Sequence, residues 1–395
     1  MLVFTNALIM SNKIIVSLLI SLVIVSSCSK EETINDNTND TVELSPNLPE
    51  NHFNYANQPF PSYITKDNTD DNSITDAGAT LGRVLFYDVN LSENKTISCG
   101  SCHQQANAFS DTATLSMGLN GGLTARHSMR LINTRFADEE RFFWDERAES
   151  LEDQSTKPIQ DHIEMGFSGV NGAPSFTDLI TRLNNVEYYT GLFTDVYGDR
   201  EITEEKIQIA LAQFIRSIQT FDSRFDIAFS TSDNINQDFQ DFTTEENLGK
   251  HLFLTMPTDG GAGCVTCHRG AEFDIDPISH NNGVIAVAGS TTKELDFTNM
   301  RSPSLRDVVK SDGSSNGPFM HDGSLETLMD VINHYNEIPV NAANISLDQR
   351  LSRPGANNQV LNLGEEEKDA LVAFLQTLSG SDVYENEKWS DPFSN

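Results

Sequence analysis

Cys99-Gly100-Ser101-Cys102-His103 and Cys264-Val265-Thr266-Cys267-His268 are the two places where residue type and spacing most plainly encode chemistry. Two cysteines separated by two residues bring both sulfurs to one side of a helical turn, and a histidine directly after them can present its imidazole to the same group. That order suits covalent capture of a haem: each thiol adds to a vinyl group and the imidazole ligates the iron. A redox dithiol needs no following histidine, and a zinc site would draw four ligands from both pairs. The chain has only 5 cysteines in 395 residues, so a doubled CxxCH is not a chance pattern. It predicts two covalently bound c-type haems, with Cys99, Cys102, Cys264 and Cys267 as thioether positions and His103 and His268 as proximal iron ligands.

The elements that must position these motifs are themselves duplicated. Leu81-Gly82-Arg83-Val84-Leu85-Phe86 stands shortly before the first pair, and Leu248-Gly249-Lys250-His251-Leu252-Phe253 stands at nearly the same distance before the second. Each copy opens on a capping signal, Thr75-Asp76 and Thr243-Thr244-Glu245-Glu246, followed by apolar residues at helical spacing. Residues 202–221, 325–335 and 365–378 carry the same helical period. Strand signals are few, and segments such as 117–122 and 311–317 read as long loops. The expected fold is mostly α: two cytochrome c-like helical domains, each with its covalent haem, with long ordered loops and a junction near residues 225–245.

The N-terminus reads as an export signal. Residues 14–25 are apolar or serine without interruption, shorter than the ~20 residues of a membrane span but suited to a signal peptide. Val25-Ser26-Ser27-Cys28 resembles a bacterial lipobox, which makes Cys28 the expected lipidation site and accounts for the odd cysteine. Residues 33–50 are rich in Asn, Thr, Asp and Pro, too polar to bury a core, and read as a tether. The expected division is a signal peptide (1–27), a lipid-anchored tether (28–55), an N-terminal haem domain (56–235), a C-terminal haem domain (236–380) and a tail (381–395). A net charge of -32, from 58 acidic and 26 basic residues, argues against nucleic acid or anionic lipid as a partner. Membrane association is expected only through the lipid anchor of an exported, periplasmic or cell-envelope protein.

Over residues 77–380 the chain resembles the bacterial di-haem cytochrome c peroxidase family, which includes the MauG-like enzymes. The resemblance rests on Leu81 to Asp88, on Phe143-Trp144-Asp145-Glu146-Arg147-Ala148, and on Pro158-Ile159 with Glu164-Met165-Gly166. It continues through Arg301-Ser302-Pro303-Ser304-Leu305-Arg306 and Gly317-Pro318-Phe319-Met320-His321-Asp322-Gly323. It implies that the first haem is peroxidatic and the second receives electrons, that Glu164 is the distal acid that moves a proton between peroxide oxygens, and that Trp144 lies between the haems. It implies hydrogen peroxide as substrate, a reduced cytochrome c or a cupredoxin as donor, and a homodimer. Two other readings stay open: a MauG-like oxidase of a protein or organic substrate, and a non-enzymatic electron carrier.

The resemblance also implies a sixth ligand for the second iron on the helix after His321-Asp322-Gly323. Counting along that helix gives Tyr335, with Met320 and His334 as alternatives; a phenolate there would stabilise ferric and higher states, whereas methionine would raise the potential. Two departures stand out. Loop 116–121 lacks the distal histidine of many members and has Leu119 near its place, which implies a five-coordinate first haem at rest. His127 replaces an asparagine that helps hold calcium between the domains, which puts calcium in doubt and leaves His127 as a polar interdomain contact or an iron ligand.

Overall fold

The computed structural model describes residues 45–394 apart from 139–140, 233, 276, 293, 300, 302 and 354–356. The expected signal peptide and Cys28 lie outside the described residues. Eleven α-helices are present among the described residues: α1 (Asp76–Tyr87), α2 (Cys99–Cys102), α3 (Leu151–Gln160), α4 (Phe176–Leu183), α5 (Glu187–Tyr197), α6 (Glu204–Ser217), α7 (Arg224–Ser230), α8 (Thr244–Leu254), α9 (Leu328–Asn336), α10 (Glu365–Gln376) and α11 (Asp382–Glu385). The strands found are two short antiparallel ribbons, β1 (His268–Arg269) with β2 (Asp274–Ile275) and β3 (Ser352–Arg353) with β4 (Asn357–Asn358). The mostly helical fold class expected from the apolar period is the one observed.

The duplicated sequence frame becomes a duplicated helix pair. Thr75 caps α1 by accepting from Gly78 N, and Thr243 with Glu246 forms a capping box on α8, as the local signals predicted. Helix α1 crosses α6 at Gly82, and α8 crosses α10 at Gly249. A Cβ on Gly82 would meet the Ala210 carbonyl oxygen at 2.0 Å; one on Gly249 would meet the Ala370 carbonyl oxygen at 1.8 Å. Only glycine lets the backbones approach so closely at these crossings.

Around each crossing the same aromatic cluster forms. Phe86 packs on Phe214 and Phe109, with ring centroids 5.2 and 6.0 Å away; Phe253 packs on Phe374 and Phe273 at 5.3 and 5.7 Å. All six rings are buried, each contributing roughly 1.5–3 kcal/mol through burial. Two apolar cores grow from these clusters. The first runs from Tyr55 to Ile218; the second gathers Phe225, Ala228 and Phe239 with Leu252, Phe253 and the inward face of α10, and takes in Ile64 and Phe136 from earlier in the chain.

The final segment, residues 381–394, returns to the first core. Val383 and Trp389 are buried there, with the Trp389 indole N–H donating to Ser217 O at 3.1 Å and Tyr87 donating to Trp389 O at 2.7 Å.

Candidate functional site: two cavities sharing one wall

Each Cys-Xaa-Xaa-Cys-His motif faces its own cavity. The first encloses about 1380 Å³ of atom-free space, open solvent included, and is lined by Cys99, Cys102 and His103; the second encloses about 1860 Å³ and is lined by Cys264, Cys267 and His268. No disulfide joins these four cysteines. Burial pushes Cys99 and Cys264 up to about 12, so they carry no charge into these apolar walls.

The first pair occupies the short turn of α2, and the ring of His103 is fixed by backbone six residues further along the chain. Its Nδ1 lies 3.0 Å from the Phe109 carbonyl, so Nδ1 carries the proton and Nε2 keeps its lone pair for a metal. The second copy is similar in layout: the Phe273 carbonyl, at the turn between β1 and β2, faces His268. Burial holds the His268 imidazole down to about 4, leaving it neutral and able to ligate. Phe109 and Phe273 both take left-handed backbone, with φ of 60° and 53°. That uncommon conformation for an aromatic residue directs each carbonyl back to its histidine.

The two cavities share a wall. His127, Ser128, Met129, Arg130, Trp144, Arg301, Pro303 and Ser304 line both. Trp144 donates its indole N–H to the His127 carbonyl at 2.8 Å and meets the His321 ring edge-on at 6.4 Å. Arg126, which lines the first cavity, clamps the wall through Asp145 at 3.1 Å, Asp296 at 2.7 Å and Asn299 at 2.7 Å. The His127 ring is a polar contact: Nδ1 faces the Ala113 carbonyl at 3.0 Å and Nε2 faces Ser110 at 3.4 Å. Nδ1 is therefore engaged as a donor, while the Ser110 hydroxyl gives its proton to the Ser128 carbonyl at 2.8 Å.

Arg130 is a residue that sequence reading missed. It is buried, donates to Asn316 O at 3.1 Å, and leaves Nε without a partner. An enclosed cation with unused donor capacity suits a group bearing carboxylates, such as haem propionates. The thiol pairs, metal-ready imidazoles, apolar walls and this guanidinium together fit one haem per cavity. The only sequence signal for Arg130 is its place directly after Arg126-His127-Ser128-Met129.

Glu164 lines the first cavity. The turn that carries it is held by Asp161, whose carboxylate accepts from Ile163 N at 2.8 Å and Glu164 N at 3.0 Å. Leu119 braces the same turn through its backbone, donating to Ile163 O at 2.7 Å, while its side chain packs over Gly166. The loop expected to lack a distal histidine thus buttresses the acid. Burial, then the nearby Asp161 charge, raise the Glu164 carboxyl to about 7, against a smaller lowering by Arg147. A carboxyl poised near neutrality can both accept and return a proton.

Tyr335 lines the second cavity from α9, together with Met320. The Asn282 amide donates to Tyr335 Oη at 3.1 Å and to Met320 Sδ at 3.3 Å. Burial pushes the Tyr335 phenol well above its ordinary value. His334, the other alternative, has Nε2 2.9 Å from the Asn282 carbonyl, so that nitrogen is occupied as a donor.

Comparison with known proteins places these observations in a lineage. A family model described as di-haem cytochrome c peroxidase matches residues 76–234. The methylamine utilization protein MauG of Methylophilus methylotrophus is 31% identical over 315 residues, covering 78% of this chain and 84% of that protein. The cytochrome c551 peroxidase of Nitrosomonas europaea is 27% identical over 345 residues, covering 82% and 85%. Among solved structures, a MauG-like protein associated with microbial copper homeostasis superposes with a TM-score of 0.66 at 28% identity, covering 86% of this chain and 99% of that one. The diheme peroxidase BthA of Burkholderia thailandensis shares the fold, with a TM-score of 0.59 at 20% identity over 87% and 97% of the two chains.

Proposed function

The chain belongs to the di-haem cytochrome c peroxidase and MauG family of oxidoreductases, and from that premise we propose that it reduces hydrogen peroxide to water with two electrons from a reduced cytochrome c or small copper protein. The observation that carries this reading is the Glu164 carboxyl, raised to about 7 and facing the cavity of the first cysteine pair.

Haem held by Cys99, Cys102 and His103 would supply two-electron cleavage of the peroxide O–O bond, and haem held by Cys264, Cys267 and His268 would supply the electron reservoir. Glu164, in its ionised form, takes a proton from one peroxide oxygen and returns it to the other, which leaves as water. The balance is one peroxide, two electrons and two protons to two waters. Trp144, lining both cavities, offers an oxidisable ring in the shared wall along which electrons pass. His103 and His268 would hold these cofactors through their ring nitrogens, the His103 ring being oriented by the Phe109 carbonyl.

A second reading is favoured by Tyr335 in the second cavity: a MauG-like oxidase that draws electrons from a protein or organic substrate, since a phenolate ligand stabilises oxidised iron. Export and anchoring through Cys28, the haem domains at 56–235 and 236–380, and a homodimer complete the proposal.

Steady-state peroxide consumption by haem-loaded protein, offered several reduced donors, tests the first reading. Turnover that follows donor oxidation and collapses in Glu164→Gln supports it. Peroxide-dependent oxidation of a protein substrate, with no cytochrome or cupredoxin accepted, replaces it with the second. A resting spectrum with both irons six-coordinate and no peroxide reaction leaves only an electron carrier.

A further inference from the structure

The second cavity gathers two potential iron ligands on a single side-chain amide. Tyr335 arrives from α9. Met320 arrives from a loop where its backbone takes φ of 71°, a left-handed conformation that a non-glycine residue keeps only when the surroundings impose it. Both end on Asn282 Nδ2, at 3.1 Å from the phenol oxygen and 3.3 Å from the thioether sulfur.

Asn282 is itself locked. Its Oδ1 accepts from Val284 N at 3.1 Å, which fixes which end of the amide is the donor. Its carbonyl accepts from His334 Nε2 at 2.9 Å, and the preceding Asn281 is fully buried and bonded to Val284 O and Asn299 O. The NH₂ group therefore faces the cavity and cannot be exchanged for the oxygen without breaking these contacts.

We propose that Asn282 is the positioning residue that decides which side chain caps the second iron, holding Tyr335 in that role against Met320. The inference rests on the reading that this cavity takes haem with Tyr335 as sixth ligand. A ligating phenolate keeps a lone pair for the amide and accepts a charge-assisted hydrogen bond, whereas a thioether is a weak acceptor. The donor thus favours oxygen over sulfur, in the way that groups behind a metal ligand commonly select and tune it.

The test is the ferric, haem-loaded protein read by near-infrared absorption and resonance Raman, with a redox titration of the second haem. Native protein should show a tyrosinate-to-iron charge-transfer band. Asn282→Leu should lose that band, gain a thioether-to-iron signature and titrate at a higher potential. Asn282→Asp, with the same shape but no donor, should do the same, which separates the hydrogen bond from packing. A tyrosinate band retained in either variant, or its loss without a sulfur signature, overturns the role of Asn282. Absence of the band in native protein, or its survival in Tyr335→Phe, instead overturns the underlying assignment of Tyr335.

Discussion

The indole N–H of Trp144 donates to the backbone carbonyl of His127 at 2.8 Å, and both residues line the first and the second cavity. One hydrogen bond therefore fixes the orientation of the largest side chain in the shared wall. Trp144→Phe keeps an aromatic body but removes that bond and the readily oxidised ring. Stability should fall by about 1 kcal/mol. Electron passage between the haems should slow by about an order of magnitude, ~1.4 kcal/mol in barrier. Stopped-flow oxidation of the second haem after peroxide addition reads the rate, and an unchanged rate would remove Trp144 from the path.

Glu164→Gln should lower peroxide turnover by roughly 10²–10⁴-fold, the usual worth of a positioned acid or base, while leaving both haems attached. In the native enzyme turnover should rise with pH through about 7, as the carboxyl, raised by burial and then by Asp161, ionises. The stability sign is opposite. The folded state holds this proton up to about 7 where the unfolded chain releases it near the ordinary carboxylate value, so stability falls as pH rises across that window. Asp161→Asn can still accept the two backbone bonds but removes the raising charge. It should move the acid limb of the rate profile to lower pH, and a limb that does not move would assign it to another group.

Gly82→Ala and Gly249→Ala should each destabilise by about 3 kcal/mol or more, because the added carbon would meet a carbonyl oxygen of the crossing helix well inside contact distance. Chemical denaturation should show the loss for both variants. A midpoint unchanged by either substitution would contradict the close crossing at that position.

What the sequence disclosed was local. The cysteine motifs, the caps at Thr75 and Thr243 and the repeated frames ahead of them depend on residues a few positions apart, and each is found where the pattern indicated. What it concealed was contact between distant segments. Nothing periodic marks Asn282, which meets a tyrosine 53 positions away, or Arg130, whose significance lies in being enclosed between two cavities. Trp389 gives no local sign that it returns to a core built from the other end of the chain. His127 was open between a polar contact and an iron ligand; only the placement of the Ala113 carbonyl, distant from it in sequence, shows the polar contact its Nδ1 makes.

Each cavity should receive a porphyrin through its own thiol pair, and intact mass measurement under denaturing conditions tests this most directly. Protein produced in a host with cytochrome c maturation should carry two haem masses that survive unfolding. Cys99→Ser with Cys102→Ser should remove one, and Cys264→Ser with Cys267→Ser the other. A native chain at its bare polypeptide mass, or a paired substitution that leaves both haems attached, would contradict it.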